Sequence, residues 1–421
     1  MADPGLKIKY SKSQLVWLCS LIYFVSYFSR KDFAAVMAGM IAADVIDKSA
    51  GGLVGMALFV CYGIGQLLSG YLGDRIKPSH LILFGLFATA VSNLLMPLFA
   101  SGAAMIVIWG INGFAQAMLW PPIVRILSDN LEYEAFVRSN LIVTSSAHAA
   151  TVILYLYVPL CLNLFDWRTV FFTSTALALF AILIFTLALI LVIPKDAVKT
   201  PTPKVKTKED GRGESYFRLL CRAGILPVFL AIIMMGILRD GIETWLPTLY
   251  SEAFERDAGE SILISVALPI FAVLSITAIT VLHKTSTFKN EVRGALILFA
   301  LAALVATPIV FLITKSGAAL RIICLVFAAA VCAFMHGVNF LFISCLPGRL
   351  SEFGKAATTS GFCNAFTYVG AAVSSYGFAF ISELFDWRGT VISWIIAAAL
   401  GVLFTIISLK SYTRFIKETS K

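Results

Sequence analysis

Twelve long apolar stretches dominate the sequence, and polar residues gather in the shorter segments between them. A helix needs about 20 consecutive apolar residues to cross a hydrocarbon core of about 30 Å. The stretches that meet this length run over residues 14–40, 51–73, 79–99, 102–127, 139–163, 168–193, 223–250, 260–282, 292–314, 318–346, 357–382 and 388–410. The pattern therefore predicts an all-α membrane protein with 12 transmembrane helices.

The composition agrees with this pattern. The chain has 421 residues, of which 59% are hydrophobic and 14% are charged, and its mean hydropathy is +0.89. Soluble domains carry about 25% charged residues because their surface must be hydrated. The first apolar stretch has no small-residue cleavage site after a short apolar core, so we expect a retained helix and not a signal peptide.

Lysine and arginine are distributed unevenly between the predicted helices. The side that holds both termini carries 24 of the 33 basic residues, and the opposite side carries six. Because cytoplasmic loops collect basic residues, we expect both termini in the cytoplasm and the protein in the cell membrane. The net charge of +9 then reflects topology and contact with the lipid bilayer, and not nucleic-acid binding.

Two features divide the chain into related halves. The longest connection, residues 194–222, is rich in Lys, Thr, Pro and Gly, which predicts a flexible cytoplasmic linker. The pentapeptide LFDWR at 164–168 recurs at 384–388, each time just before the last predicted helix of a half. Parallel repeats of this kind are typical of transporters, which bind substrate at the midplane between them. We therefore expect two pseudo-symmetric six-helix bundles, residues 1–193 and 223–421.

Three basic residues fall inside predicted helices, where a charge at the bilayer centre costs at least about 2.5 kcal/mol. Arg30 and Lys31 lie in the first helix and Arg239 in the seventh, which are the first helices of the two halves. Repeat symmetry would bring the two arginines face to face across a central cavity. The guanidinium fork matches phosphate or carboxylate with two parallel hydrogen bonds. The sequence therefore predicts an anion site between Arg30 and Arg239.

Internal ion pairs are the alternative interpretation of these charges. Arg30 would then pair with Asp32, and Arg239 with Asp240 or Glu243. Glu243 follows Arg239 by four residues and lies on the same helix face, whereas Asp32 lies on a different face from Arg30.

Aromatic and polar side chains at membrane depth accompany the predicted site. A histidine at this depth usually faces a cavity or a partner, and beside two arginines it could sense the charge of the anion. Intramembrane tyrosines often only pack, so this alternative stays open for them. The candidate site residues of this kind are Tyr23, Tyr27, Tyr62, Gln116, His148, His336 and Tyr368.

No catalytic or cofactor motif competes with transport. The sequence has no GxSxG, Walker A or HExxH motif, and its four histidines are scattered. The eight cysteines show neither CxxC nor Cys/His ligand spacing. We therefore predict a protein that is not an enzyme, has no metal or cofactor, and is driven by gradients.

Four stretches resemble the major facilitator superfamily, and specifically its organophosphate:phosphate antiporter family. They are YFSRKDF at 27–33, the segment 112–125 with Trp120, Pro121 and Pro122, the segment 238–248 with LRDG and WLPT, and the segment 361–368. The loop GYLGDR at 70–75 also resembles the superfamily's cytoplasmic signature between helices two and three.

This resemblance implies exchange of an organic phosphate for inorganic phosphate by rocker-switch alternating access in a functional monomer. It further implies that Arg30 and Arg239 hold the phosphate and that Asp74 and Arg75 form a cytoplasmic latch. The residues that it places around the phosphate are Lys31, Tyr27, Tyr62, His148 and Tyr368.

Two departures from the glycerol-3-phosphate carriers bear on the substrate. Gly236 and His336 stand where those carriers have tyrosines, which would enlarge the site and add a polar group. Asn339 and Asn364 would supply further hydrogen bonds, so we expect a hexose phosphate and not glycerol 3-phosphate. Two alternatives stay open: a transporter of a carboxylate or sulfonate, with or without coupling to protons, and a sugar-phosphate sensor that does not transport.

Overall fold

The computed structural model describes residues 11–73, 76–99, 101–191, 216–285, 287–314, 317–350, 353 and 355–419. These residues are almost entirely helical, and none of them forms a strand. The first part of the chain forms α1 (Lys12–Ala42), α2 (Lys48–Gly73), α3 (Pro78–Leu95), α4 (Gly102–Ala117), α5 (Trp120–Asn130), α6 (Tyr133–Leu164) and α7 (Arg168–Leu191). The second part forms α8 (Tyr216–Ala223), α9 (Leu226–Ala253), α10 (Ala258–Ile264), α11 (Ala267–Leu282), α12 (Glu291–Leu312), α13 (Ala318–Asn339), α14 (Leu346–Arg349) and α15 (Ala356–Thr419), with a π-helical segment (Phe340–Cys345) between α13 and α14.

In the described ranges, nine helical segments are long and apolar enough to cross a membrane, or ten if the bent pair α8–α9 counts as one span. Helix α1 is not among the nine, and it carries Arg30, Lys31 and Asp32 near its middle. Helix α15 counts once, although Phe385 and Asp386 leave the helical conformation inside it. Twelve spans therefore stay a prediction.

The predicted helix over 102–127 is broken in the structure between α4 and α5. Pro121 and Pro122 lie in the first turn of α5, and a proline has no N–H for the carbonyl four residues earlier. Gln66 on α2 donates to the freed carbonyl oxygen of Ala117 at 3.3 Å. The two prolines thus interrupt the helical hydrogen bonds of this span next to Trp120.

Both copies of LFDWR lie where one helix ends and the last long helix of its half begins. Phe165 ends α6 outside the helical conformation, and the Asp166 carboxylate accepts from the backbone N–H of Trp167 at the start of α7. In the second copy, Asp386 has a φ of 55° and breaks α15. The repeated sequence thus marks equivalent corners in the two halves.

The two halves pack directly against each other. Helix α2 packs on α15, α6 on α10 and α11, and α1 on α9 and α10. The α2–α15 contact is close, because the Ser375 hydroxyl donates to the Gly52 carbonyl oxygen at 3.1 Å. A Cβ atom at Gly52 would lie 2.9 Å from the Ser375 carbonyl oxygen, so this crossing requires a glycine.

The last part of the predicted flexible linker is helical. Helix α8 buries Leu219, Leu220 and Ala223, and the Tyr216 hydroxyl lies 3.0 Å from the Thr359 hydroxyl. Because this segment is amphipathic, it packs on the bundle and meets α9 at 78°. The preceding residues of the linker, 194–215, lie outside the described residues.

Candidate functional site

A cavity of about 520 Å³ lies between the two halves. It is lined by α1, α2, α4, α5 and α6 from the first half and by α9, α11, α13, the π-helical segment and α15 from the second. It reaches from the middle of α1 and α9 toward Phe136, Ser344 and Ser360, which lie near the helix ends on the side of α8. Cavities of about 300–1,000 Å³ hold small-molecule ligands.

Polar contacts between the halves close the cavity at the opposite face, where α1 ends and α2 begins. Lys48 of the first half lies 2.9 Å from the carboxylate of Glu252 in the second half, and the Trp387 indole N–H, also in the second half, donates to the same carboxylate at 2.9 Å. The Ser49 hydroxyl donates to Glu383 at 2.8 Å. The cavity is therefore closed at this face and extends toward the other one.

Arg30 faces the cavity from α1 and rests on aromatic rings. Its guanidinium carbon lies 4.2 Å from the ring centroid of Tyr27 and 5.1 Å from that of Tyr62, in the range of cation–π contacts. Asp32 does not pair with Arg30, because its carboxylate accepts from the Ser174 hydroxyl at 2.6 Å. Within the described ranges, Arg30 forms no ion pair with a carboxylate.

Arg239 faces the same cavity from α9 and has two polar partners. It donates to the Asp240 carboxylate at 2.7 Å and to the Asn339 side-chain oxygen at 2.6 Å. Of the two expected alternatives for an internal ion pair, the structure contains the one with Asp240. These contacts fix the direction of the guanidinium and neutralise its charge.

Glu243 joins the two halves inside the cavity. Its carboxylate lies 2.5 Å from the Lys31 ammonium of α1 and 2.7 Å from the His336 ring nitrogen of α13. Sequence spacing points only to Arg239, the neighbour on the same helix, as a partner. The partners in the structure come from other helices, which spacing along the chain does not reveal.

The charges that line the cavity do not cancel. Arg30, Lys31 and Arg239 carry three positive charges, and Asp240 and Glu243 carry two negative charges. Among the described residues, Lys31 pairs with Glu243 and Arg239 pairs with Asp240, so Arg30 supplies the excess positive charge. An uncompensated charge at membrane depth is costly and marks a functional site.

Aromatic rings form the wall around Arg30. The Tyr23 ring lies 4.9 Å from that of Tyr27 and 4.6 Å from that of Trp120. Across the halves, the ring centroids of Tyr62 and Tyr368 are 4.4 Å apart. The tyrosines therefore both pack and face the cavity, so the two interpretations do not exclude each other.

The two histidines meet across the cavity, one from each half. The ring centroids of His148 on α6 and His336 on α13 are 6.0 Å apart. The structure brings together most of the predicted residues. Those that line the cavity are Tyr23, Tyr27, Arg30, Lys31, Tyr62, Trp120, His148, Arg239, His336, Asn339, Asn364 and Tyr368.

Gln116 does not line the cavity. Its side-chain oxygen accepts from the Ser26 hydroxyl at 2.5 Å, and its nitrogen donates to the Thr89 hydroxyl at 3.2 Å. It is 1% exposed, because this face of α4 packs inside the first half. The proposed latch residues Asp74 and Arg75 lie outside the described residues.

Gly236 does not enlarge the cavity, contrary to the sequence expectation. It lies where α9 crosses α15, and a Cβ atom there would collide with the Thr367 carbonyl oxygen. Gly370 has the same role from the other side, against the Ile233 carbonyl oxygen. The two glycines allow close helix packing, which a sequence comparison of single positions does not show.

Further polar residues of the cavity were absent from the predicted site. Gln66, Asn140, Thr144, Ser344 and Ser360 also line it. Their types are common in membrane helices, and the sequence gives no sign of which face they occupy.

Comparison with known proteins agrees with this architecture. The family profile described as "Major Facilitator Superfamily" matches residues 19–374. The chain belongs to the major facilitator superfamily. Superfamily membership and the relatives below confirm the prediction that the protein is not an enzyme.

Three relatives align over nearly the whole chain. The "Probable hexose phosphate transport protein" of Chlamydia muridarum is 24% identical over 96% of this chain and 93% of its own. The glycerol-3-phosphate transporter of Bacillus subtilis is 25% identical over 96% and 94%. The membrane sensor protein UhpC of Salmonella typhimurium is 23% identical over 96% and 93%. All three are members of the organophosphate:phosphate antiporter family, which confirms the predicted resemblance.

Solved structures confirm the fold. The nucleoside transporter NupG superposes with a TM-score of 0.71 at 15% identity, covering 94% of this chain and 99% of the other. The peptide transporter POT in complex with sulfate superposes with a TM-score of 0.74 at 13% identity, covering 96% and 95%. The helices therefore adopt the major facilitator fold.

Proposed function

We propose that this protein exchanges an organic phosphate ester for inorganic phosphate across the cell membrane. The observation that carries the proposal is the excess positive charge of Arg30 in a cavity between the halves. An anion with several acceptor oxygens satisfies this charge, and phosphate offers the geometry that a guanidinium fork matches.

The two arginines give each half its own contact with the anion. Arg30 belongs to α1 and Arg239 to α9, and both line one cavity. Asn339 and Asp240 orient Arg239 before the anion arrives, which lowers the entropic cost of binding. An anion held by both guanidiniums would stabilise the conformation in which the halves close around it.

Lys31 links anion binding to the contact between the halves. Its ammonium is held by Glu243 in this structure, and a phosphate beside Arg30 would compete for it. Loss of this ion pair would release one contact between α1 and α9, as a rocker-switch movement requires. The bundles 1–193 and 223–421 would be the moving bodies, with 194–222 as their linker.

The direction of opening follows from the predicted topology. With both termini in the cytoplasm, the face closed by Lys48, Glu252 and Trp387 is the outer one. The cavity then opens toward the cytoplasm. The protein would work as a monomer, because one chain supplies both halves of the site.

A hexose phosphate is the organic substrate that we favour over glycerol 3-phosphate. The cavity of about 520 Å³ leaves room beyond the phosphate, and Asn364, His148 and Ser360 line it with groups that bind hydroxyls. The relative from Chlamydia muridarum is named a hexose phosphate transport protein. Gly236 contributes nothing to this preference, since it faces α15.

A sensor that binds a sugar phosphate without moving it is a second candidate, because one relative is named a membrane sensor. A transporter of a different organic anion, a carboxylate or a sulfonate, is the third. All three use an anion site, so transport of phosphate itself separates them.

Purified protein in phosphate-loaded liposomes tests the proposal through uptake of labelled phosphate. We expect rapid exchange of labelled for unlabelled phosphate. Glucose 6-phosphate should inhibit this exchange at lower concentrations than glycerol 3-phosphate does. Binding of a hexose phosphate without any exchange would identify a sensor. If the protein neither bound nor exchanged phosphate, the proposal would be excluded and another anion would be favoured.

A further inference from the structure

Three side chains of metal-binding type meet beside the anion site. They are Glu243 on α9 and Cys332 and His336 on α13, and their ligand atoms all lie within 4.8 Å of one another. Cys332 and His336 are four residues apart, so they project from the same face of α13. None of the three belongs to a sequence motif for a metal, because Glu243 comes from a distant helix.

The distances between the ligand atoms bracket those of a tetrahedral zinc site. The Glu243 carboxylate lies 2.7 Å from the His336 ring nitrogen and 3.9 Å from the Cys332 sulfur. Zinc bonds of about 2.0–2.3 Å place neighbouring ligand atoms about 3.3–3.7 Å apart in a tetrahedron. Small side-chain rotations would therefore suffice to coordinate one ion.

The site lies at the wall of the cavity, and two of its three side chains are buried. Cys332 is fully buried and His336 is 8% exposed. The sulfur also approaches the backbone carbonyl oxygen of Arg239 at 3.8 Å, which fixes it at the α9–α13 contact. His148 of the other half, 6.0 Å from His336 between ring centroids, is in reach as a fourth ligand.

We propose that Glu243, Cys332 and His336 bind a soft divalent cation of the zinc class, and that this ion blocks transport. A thiolate and an imidazole select zinc-like ions over Mg²⁺ or Ca²⁺. The ion would take Glu243 from Lys31 and pin α9 to α13. With His148 as fourth ligand, it would also tie the two halves together.

The positive charges of the cavity limit the affinity of this site for a cation. The ion displaces the Lys31 ammonium from Glu243, while Arg239 stays neutralised by Asp240. Arg30 and the freed Lys31 oppose the ion, so we expect moderate affinity and not the tight binding of a structural zinc. Because the thiol must lose its proton to bind a metal, affinity should fall as the pH is lowered.

Titration of the purified protein with Co²⁺ in phosphate-free buffer tests the site without any transport assay. We expect one Co²⁺ per chain, a thiolate-to-metal absorption band, and its loss on addition of Zn²⁺. The band should disappear in Cys332→Ser and persist in the matched control Cys324→Ser, which alters a buried cysteine eight residues earlier on α13. No band in the wild-type protein, or an unchanged band in Cys332→Ser, would overturn the proposal.

Transport in liposomes tests the blocking effect, with each variant compared with its own rate in the absence of metal. Zn²⁺ should inhibit the wild-type protein and Cys324→Ser equally, and Cys332→Ser should need at least tenfold more Zn²⁺. Binding of Co²⁺ without inhibition would overturn the blocking role. If the protein exchanged no phosphate at all, the Co²⁺ titration would still decide whether the metal site exists.

Discussion

Helices α1 and α9 are the first long helices of the two halves, and each places one arginine in the same cavity. The two arginines, Arg30 and Arg239, differ in their surroundings. Arg239 is held by Asp240 and Asn339, whereas Arg30 rests on the rings of Tyr27 and Tyr62 without a carboxylate partner in the described residues. The comparison suggests a division of labour. The first arginine would offer the anion its positive charge and a guanidinium fork that no carboxylate of the described residues occupies, and the second a guanidinium that Asp240 and Asn339 already hold.

Replacing Arg30 by Lys should have the largest effect. The charge is kept, but the fork is lost, and two hydrogen bonds to a charged group are worth about 1.5–3 kcal/mol each. We therefore expect phosphate exchange to fall at least about 100-fold, measured as initial uptake into phosphate-loaded liposomes. Arg256→Lys is the matched control, since Arg256 pairs with Glu260 at the closed face, and it should keep the wild-type rate. Exchange retained in Arg30→Lys would contradict the role of the fork.

Arg239→Lys should be the second largest effect. Lysine cannot contact both Asp240 and the anion with a planar fork, so the orientation that the structure gives Arg239 is lost. We expect a loss of about 10- to 100-fold in exchange, equivalent to about 1.4–2.7 kcal/mol. An effect equal to that of Arg30→Lys would mean that the two arginines do not divide the work.

The sequence indicated the site through charges at membrane depth, since Arg30, Lys31 and Arg239 are conspicuous in apolar helices. It could not indicate which helix face a residue occupies once the helices pack. Gln116 therefore proved to be buried inside the first half, and Gly236 to lie at the α9–α15 crossing.

Partners from distant helices were equally hidden in the sequence. Glu243 is an acidic residue at membrane depth, and such residues need a partner. Its true partners, Lys31 and His336, belong to α1 and α13. The sequence showed only some of the breaks in the long helices. Pro121 and Pro122 explain the break before α5. The end of the linker forms helix α8 because it packs on the bundle, which the linker's composition does not indicate.

Glu243→Gln should change affinity more than it changes maximal rate. Without the carboxylate, Lys31 is free to bind the anion, so phosphate should bind several-fold more tightly. The measurement is the phosphate concentration that gives half-maximal exchange. Weaker phosphate binding would show that Lys31 depends on Glu243 for its position, and would count against competition between Glu243 and the anion.

Lys48→Gln should have the smallest effect of the four. The Lys48–Glu252 ion pair is partly exposed, and such pairs contribute about 0–1 kcal/mol. We expect less than about a threefold change in the exchange rate. A large loss would mean that the contacts at the closed face, and not the anion site, govern the movement of the halves.

The most direct test of the central claim is the uptake of labelled phosphate by phosphate-loaded liposomes that contain the wild-type protein, Arg30→Lys or Arg256→Lys. We expect rapid exchange by the wild-type protein and by Arg256→Lys, and none above background by Arg30→Lys. Equal exchange by all three proteins, or none by the wild-type protein, would contradict the claim that the guanidinium of Arg30 binds a transported phosphate.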